Sequence, residues 1–290
     1  STEPGRPAPG TGVASSATAR PLWLQWQLRN ALRVPGADTW VTGTTQFNAG
    51  SAGVVRNTFR VDADGVTRDA SDDVTLLDTP PGVDTVKTVS PTTVVVPYPG
   101  DVPTANYPTV RYTVDAWNTA AARASYLRVT DPVPCTPSTG CVTAANDRDP
   151  DVFTGNAYDS ASNPFEGFTI TNVDFTVAGG VPIDQAATQV ALWHYDAIAG
   201  TTSVTTTTMA ALASAGPSAL ADVVGISVVY QSSDPETTGG LIPRGTSTSN
   251  TVRMTIDAQL REHPRSNPLA YVTGGVRVDN ETLAQSYDPV

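Results

Sequence analysis

The phrase QLRNALRVPGADTWVTG (Gln27 to Gly43) returns, loosely, as QLREHPRSNPLAYVTG (Gln259 to Gly274), with the same Gln-Leu-Arg opening and the same Val-Thr-Gly close. The correspondence extends outward in both directions. STEP (Ser1 to Pro4) faces SSDP (Ser232 to Pro235), LWLQWQLR (Leu22 to Arg29) faces MTIDAQLR (Met254 to Arg261), and VVRNTFRVD (Val54 to Asp62) faces TLAQSYDPV (Thr282 to Val290). Order and spacing agree across all four phrases, at an offset of roughly 230 residues, and self-similarity at a fixed long period is the signature of an array of like domains. Residues 1–79 then read as the C-terminal portion of one repeat and residues 85–290 as most of the next, joined by a linker at 80–84. The chain reads as a window on a tandem array.

Each unit should be built from strands. Threonine and valine are abundant, and their branched side chains suit a pleated surface. The 23 glycines and 24 prolines punctuate short runs, as they do between strands. LWLQWQLR and MTIDAQLR both alternate apolar and polar residues, which is the pattern of a half-buried strand. Val110 to Trp117 and Ser125 to Thr130 read as two further strands joined by a small-residue turn. The fold class is therefore all-β, β-sandwich units in tandem, with at most one short helix near 217–224, where Pro217 suits a first helical turn. A unit of this length is either one elaborated sandwich or two β-subdomains split near 165–185.

Charge narrows the partners. The formal net charge is -11 and Lys87 is the only lysine in the chain. So acidic a surface repels phosphate backbones, which argues against nucleic acid. The longest apolar run, LADVVGISVVY, falls well short of the roughly 20 residues of a membrane helix and contains Asp222, so no membrane insertion is expected in this segment.

Three phrases in succession, KTVSPTTV, YTVDAWNT and LRVTDPVP, resemble the bacterial conserved-repeat family known as domain of unknown function 11. In that family a lysine-bearing first strand precedes Tyr-Thr-Val, Asn-Thr and Val-Thr-Asp-Pro. LADVVGISVVY, LIPRG and MTIDAQLR look like the extended form found in long surface proteins of high-GC Gram-positive bacteria. The resemblance covers residues 84–290 and, through the repeat, 1–79. It implies an immunoglobulin-like sandwich, export and tandem repetition at the cell surface, and it places Lys87 on the first strand.

Little in the sequence points to catalysis. His194 and His263 stand alone, and there is no nucleophile elbow, zinc-binding helix motif or dinucleotide fingerprint. Cys135 and Cys141, in PCTPSTGCV, suit a disulfide pinning a loop of an exported protein, two reduced thiols being the alternative. Asp147, Asp149 and Asp151, in NDRDPD, alternate as carboxylates do around Ca²⁺, though the sixth-position glycine of an EF-hand loop is missing and a polar turn reads as well. No other cofactor is expected. Lys87 raises the prospect of an isopeptide bond, in which a buried first-strand lysine attacks a last-strand asparagine beside an acid. The repeat argues against it, because Asn57 of the first copy faces Gln285 in the second; Asn118 and Asn280 are weaker partners. The expected function is a non-enzymatic, extracellular structural protein, the repeat unit of a bacterial surface fibre, stalk or filament whose main partners are neighbouring copies of itself. An adhesin gripping a host or environmental ligand, or an accessory domain of a secreted enzyme, is the alternative.

Overall fold

Alternation decides which face of each strand meets the core. The structure, a computed structural model, describes residues 45–63, 65–77, 81–121, 123–133, 158–179, 181–231 and 242–287, with a few isolated positions (25, 41, 43, 142–143 and 153–154). Among these residues the strands are β1 (Val54–Ala63), β2 (Val66–Thr75), β3 (Val83–Ser90), β4 (Thr109–Asn118), β5 (Tyr126–Asp131), the two-residue β6 (Val142–Thr143) and β7 (Phe153–Thr154), β8 (Phe168–Ala178), β9 (Gln189–Asp196), β10 (Thr201–Thr208), β11 (Val223–Gln231), β12 (Thr251–Leu260) and β13 (Leu283–Tyr287). One α-helix, α1 (Met209–Ala213), joins them. The fold is all-β, as the composition implies. Among the described residues no helix is long and apolar enough to cross a membrane.

Two antiparallel sheets form a β-sandwich. One has the order β3-β4-β12-β8, the other β10-β9-β11-β5-β13. In β4, Val110, Tyr112, Val114 and Ala116 point inward while Arg111 and Asp115 point out; β12 matches it with Val252, Met254, Ile256 and Ala258 inside. The outward residues then pair across the strands, Arg111 with Asp257 and Arg253 with Asp115. On β8 the alternation changes phase, from Phe168 and Ile170 to Val173 and Phe175. A β-bulge explains it: the register against β12 shifts between Asp257 and Ala258, and the extra residue carries the following side chains to the opposite parity. β5 and β11 sit inside their sheet and are buried on both faces, so neither alternates.

Strands on both sides of residues 165–185 share both sheets and a single hydrophobic core, so that stretch runs through the sandwich rather than between two halves. β4 and β5, adjacent in sequence, lie in opposite sheets; the turn between them crosses the sandwich instead of closing a hairpin. Two boundaries differ from expectation. Val83 and Asp84 already belong to β3, and the short helix expected near 217–224 is only a 3₁₀ turn at Pro217–Leu220. Val223 and Val224 are drawn into β11, where both are fully buried, while the α-helix forms earlier, capped by Thr208 Oγ1 accepting from Ala211 N–H at 3.2 Å. A separate two-stranded ribbon, β1–β2, precedes the sandwich. The acidic run DADGVTRDASDD, which reads as a loop, forms the end of its first strand, its turn and most of its second strand.

Candidate functional site

The first strand of the sandwich is built inside out. Along β3, Val83, Thr85 and Lys87 are partly buried, whereas Val86 and Val89 are 44% and 37% exposed. A strand that turns valine to water and lysine to the interior gives up apolar burial, and such local inconsistencies are expected at functional positions. The lysine side chain is only 13% exposed.

Opposite it stands Asp131, the last residue of β5, on the same face as the core residues Leu127 and Val129. Its side chain is fully buried, and its Oδ1 accepts a hydrogen bond from Lys87 Nζ at 2.6 Å. The amine also lies 5.3 Å from the centroid of the Tyr112 ring, a cation–π distance. Removing two charges from water is expensive, and the ion pair offsets only part of it. Desolvation accordingly pulls the Lys87 amine below its ordinary range and pushes the Asp131 carboxyl above its own; their mutual attraction opposes both shifts. Burial pushes the Tyr112 phenol up to about 12.

Asn280 completes the cluster. It lies just ahead of β13, where Val133 N–H donates to Glu281 O at 3.0 Å and Thr282 Oγ1 donates to Thr130 O at 2.8 Å. These bonds hold the approach to β13 against the end of β5. The Asn280 carboxamide stands near enough to Asp131 to favour its ionised form, yet neither of its buried polar atoms, nor Asp131 Oδ2, completes a hydrogen bond of ordinary geometry. Both β3 and β13 reach this point, and the two strands pack against each other. The first and last strands of the sandwich thus meet at one buried amine, one acid and one amide.

The other asparagines flagged by the sequence go elsewhere. Asn57 lies on the exposed ribbon opposite Asp72. Asn118 is buried at the end of β4 and engaged by the backbone: its Nδ2 donates to Ile242 O at 3.2 Å and its Oδ1 accepts from Ala120 N–H at 2.9 Å. Gln285 is on β13, where its Oε1 faces Arg128 at 3.5 Å. Asp131 was missed as a site residue, although it is the Asp of the Val-Thr-Asp-Pro phrase. Cys135, Cys141, Asp147, Asp149 and Asp151 lie outside the described residues. Among those described, no group of three or more His, Cys, Asp or Glu side chains could hold a metal ion.

His194 is less isolated than its sequence context suggests. Its Nδ1 pairs with Asp222 Oδ1 at 2.9 Å and its Nε2 with Thr205 Oγ1 at 2.7 Å. The three border a depression of about 400 Å³ between β9, β10 and α1, otherwise lined by small and apolar residues such as Leu192, Ala211 and Leu212. A hydroxyl, imidazole and carboxylate in line can activate a nucleophile, and Thr207 and Ser218 add two further hydroxyls to the lining. His263 Nδ1 donates to Ala270 O at 2.7 Å, and the ring tilts against Tyr271.

No protein-family model matches the chain, and no curated protein matches it.

Proposed function

We propose that the chain is a non-enzymatic, extracellular structural protein, a β-sandwich repeat unit of a bacterial surface fibre, stalk or filament whose partners are neighbouring copies of the same repeat. The observation carrying this reading is the meeting of β3 and β13 at the Lys87–Asp131–Asn280 cluster. A unit that transmits tension must resist separation of its terminal strands, and here those strands pack together around shared buried groups. The long-period sequence repeat and the ordered resemblance to the conserved-repeat surface domains support the same reading. Cys135 and Cys141 would close a loop as a disulfide in that oxidising setting, and Asp147, Asp149 and Asp151 would take calcium if any metal is bound.

Immunogold labelling of intact producing cells, with an antibody raised against residues 85–290, tests it. Labelling at regular intervals along surface appendages is the expected result; label confined to the cytoplasm contradicts it. The alternative, a ligand-binding adhesin, draws on the depression beside His194. Glycan binding abolished by His194→Ala would favour that reading.

A further inference from the structure

We propose that Lys87 and Asn280 are joined by an intramolecular isopeptide bond, formed autocatalytically with Asp131 as the proton-transfer group. The inference goes beyond the structural role proposed above and does not depend on it.

Residue choice is the first argument. This chain makes its exposed ion pairs with arginine: Arg56, Arg60, Arg111, Arg253 and Arg277 all grip aspartates. Arginine is also the usual choice for a buried ion pair, because its guanidinium is weakly hydrated and always charged. The one lysine in the chain nevertheless occupies the most buried of the ion pairs named here. A guanidinium cannot serve as a nucleophile at ordinary pH, whereas an amine can once it loses its proton. The choice of lysine is therefore the choice of a group that can react.

Placement is the second argument. A buried carboxamide with both polar atoms unbonded is costly unless the site uses it. Here it faces the carboxylate that holds the amine. Burial pulls the Lys87 amine down and pushes the Asp131 carboxyl up, and a proton passed along their 2.6 Å hydrogen bond leaves an amine and a carboxylic acid.

The chemistry then balances without a co-reactant. The Asp131 acid donates a hydrogen bond to the Asn280 carboxamide oxygen and polarises the carbonyl. The Lys87 amine attacks Asn280 Cγ, forming the Nζ–Cγ bond. Asp131 carries a proton from the attacking nitrogen to Nδ2, the Cγ–Nδ2 bond breaks, and one ammonia leaves. Nothing is oxidised or reduced. Asp131 ends protonated against a neutral amide, and no unpaired buried charge remains.

The test is the intact mass of the purified chain, fully reduced and denatured, followed by peptide mapping. We expect essentially every molecule to be lighter than its sequence by one ammonia, with Lys87 and Asn280 recovered in one branched peptide. Because Lys87 is the sole lysine, an amine-directed reagent should then modify only the α-amine of the denatured chain. Lys87→Arg keeps the charge without the nucleophile and should show its full calculated mass. Asn280→Asp should still cross-link, losing water instead of ammonia. Asp131→Asn should leave the bond unformed, and should the variant not fold, the wild-type peptide map decides alone. A wild-type chain at full mass, with Lys87 freely modified, overturns the proposal. So does ammonia loss without a branched Lys87–Asn280 peptide.

Discussion

In the β1–β2 ribbon, every residue of β2 is exposed, and what meets across the strands is charge: Arg56 donates two hydrogen bonds to Asp73 and Arg60 two to Asp69. Phe59, Val61, Val66 and Val74 are about half exposed or more. In the sandwich the proportions reverse. Among the described residues, Arg111–Asp257 and Arg253–Asp115 line the outer face, whereas Lys87–Asp131 turns inward among Tyr112, Leu127 and Val129. The ribbon's pairs have the better geometry, each being bidentate, yet exposed pairs contribute little because water competes and both side chains must be ordered. A two-stranded ribbon that leaves Phe59, Val61, Val66 and Val74 exposed is marginal in water. What holds a β-region is the face it hides, and an ion pair gains leverage only where water is excluded.

The largest break in this comparison should come from Asp131→Ala. It leaves the Lys87–Asn280 bond unformed and strands the Lys87 charge in the interior, and should lower the stability of the sandwich by roughly 3–5 kcal/mol or more in denaturant unfolding. The ribbon's amide exchange should not change. A loss below about 1 kcal/mol would mean that the pair is not a structural element of the core.

Next in size is Arg265→Ala. This buried guanidinium donates to Phe165 O at 3.1 Å and to Ala221 O at 2.8 Å, tying the segment after β12 to the turn that leads into β8 and to the end of the 3₁₀ turn ahead of β11. Losing its charge-assisted bonds should cost about 2–3 kcal/mol, read from the same unfolding midpoint. Arg60→Ala should sharpen the contrast from the other side: faster amide exchange within β1 and β2, with the sandwich midpoint unmoved.

Acid should separate the two regions as well. The Arg60 and Arg56 guanidiniums hold Asp69 and Asp73 below the ordinary carboxylate range. A folded-state pKa below the unfolded value contributes stability that is present above about pH 4 and lost as pH falls through the folded value. Asp131 is shifted the other way, so its own contribution is fully present in acid and declines as pH rises through the folded value. Hydrogen exchange measured while pH is lowered below 4 should show the ribbon's protection falling before that of β4, β11 or β12.

Much of the sandwich was legible because β4, β8 and β12 alternate and β11 is a continuous apolar run. Two features hid the rest. β1 alternates, with Arg56, Thr58, Arg60 and Asp62 on one face and Val55, Phe59 and Val61 on the other, but β2 puts Arg68 and Asp72 on the apolar side, and its run of acidic residues resembles a loop. At the site, Lys87 could be singled out by being unique and by resemblance, but its partner could not. Asn280 lies ahead of β13 in an irregular segment, and only the pairing of β13 with β5 brings it to Asp131. The repeat pointed instead to Asn57 and Gln285, whose strands lie in unlike settings, one in the exposed ribbon and the other in a sheet of the sandwich. Register between distant strands is set by packing that no local pattern records.

Single-molecule stretching of the intact chain, held at its two termini, asks whether the first and last strands of the sandwich are locked together. With Lys87 joined to Asn280, the residues outside 87–280 should lengthen under force while the segment between them contributes no extension at any force short of covalent rupture. Lys87→Arg should release that segment. Full-length extension of the wild-type chain, indistinguishable from the variant, would show that the two strands are not joined.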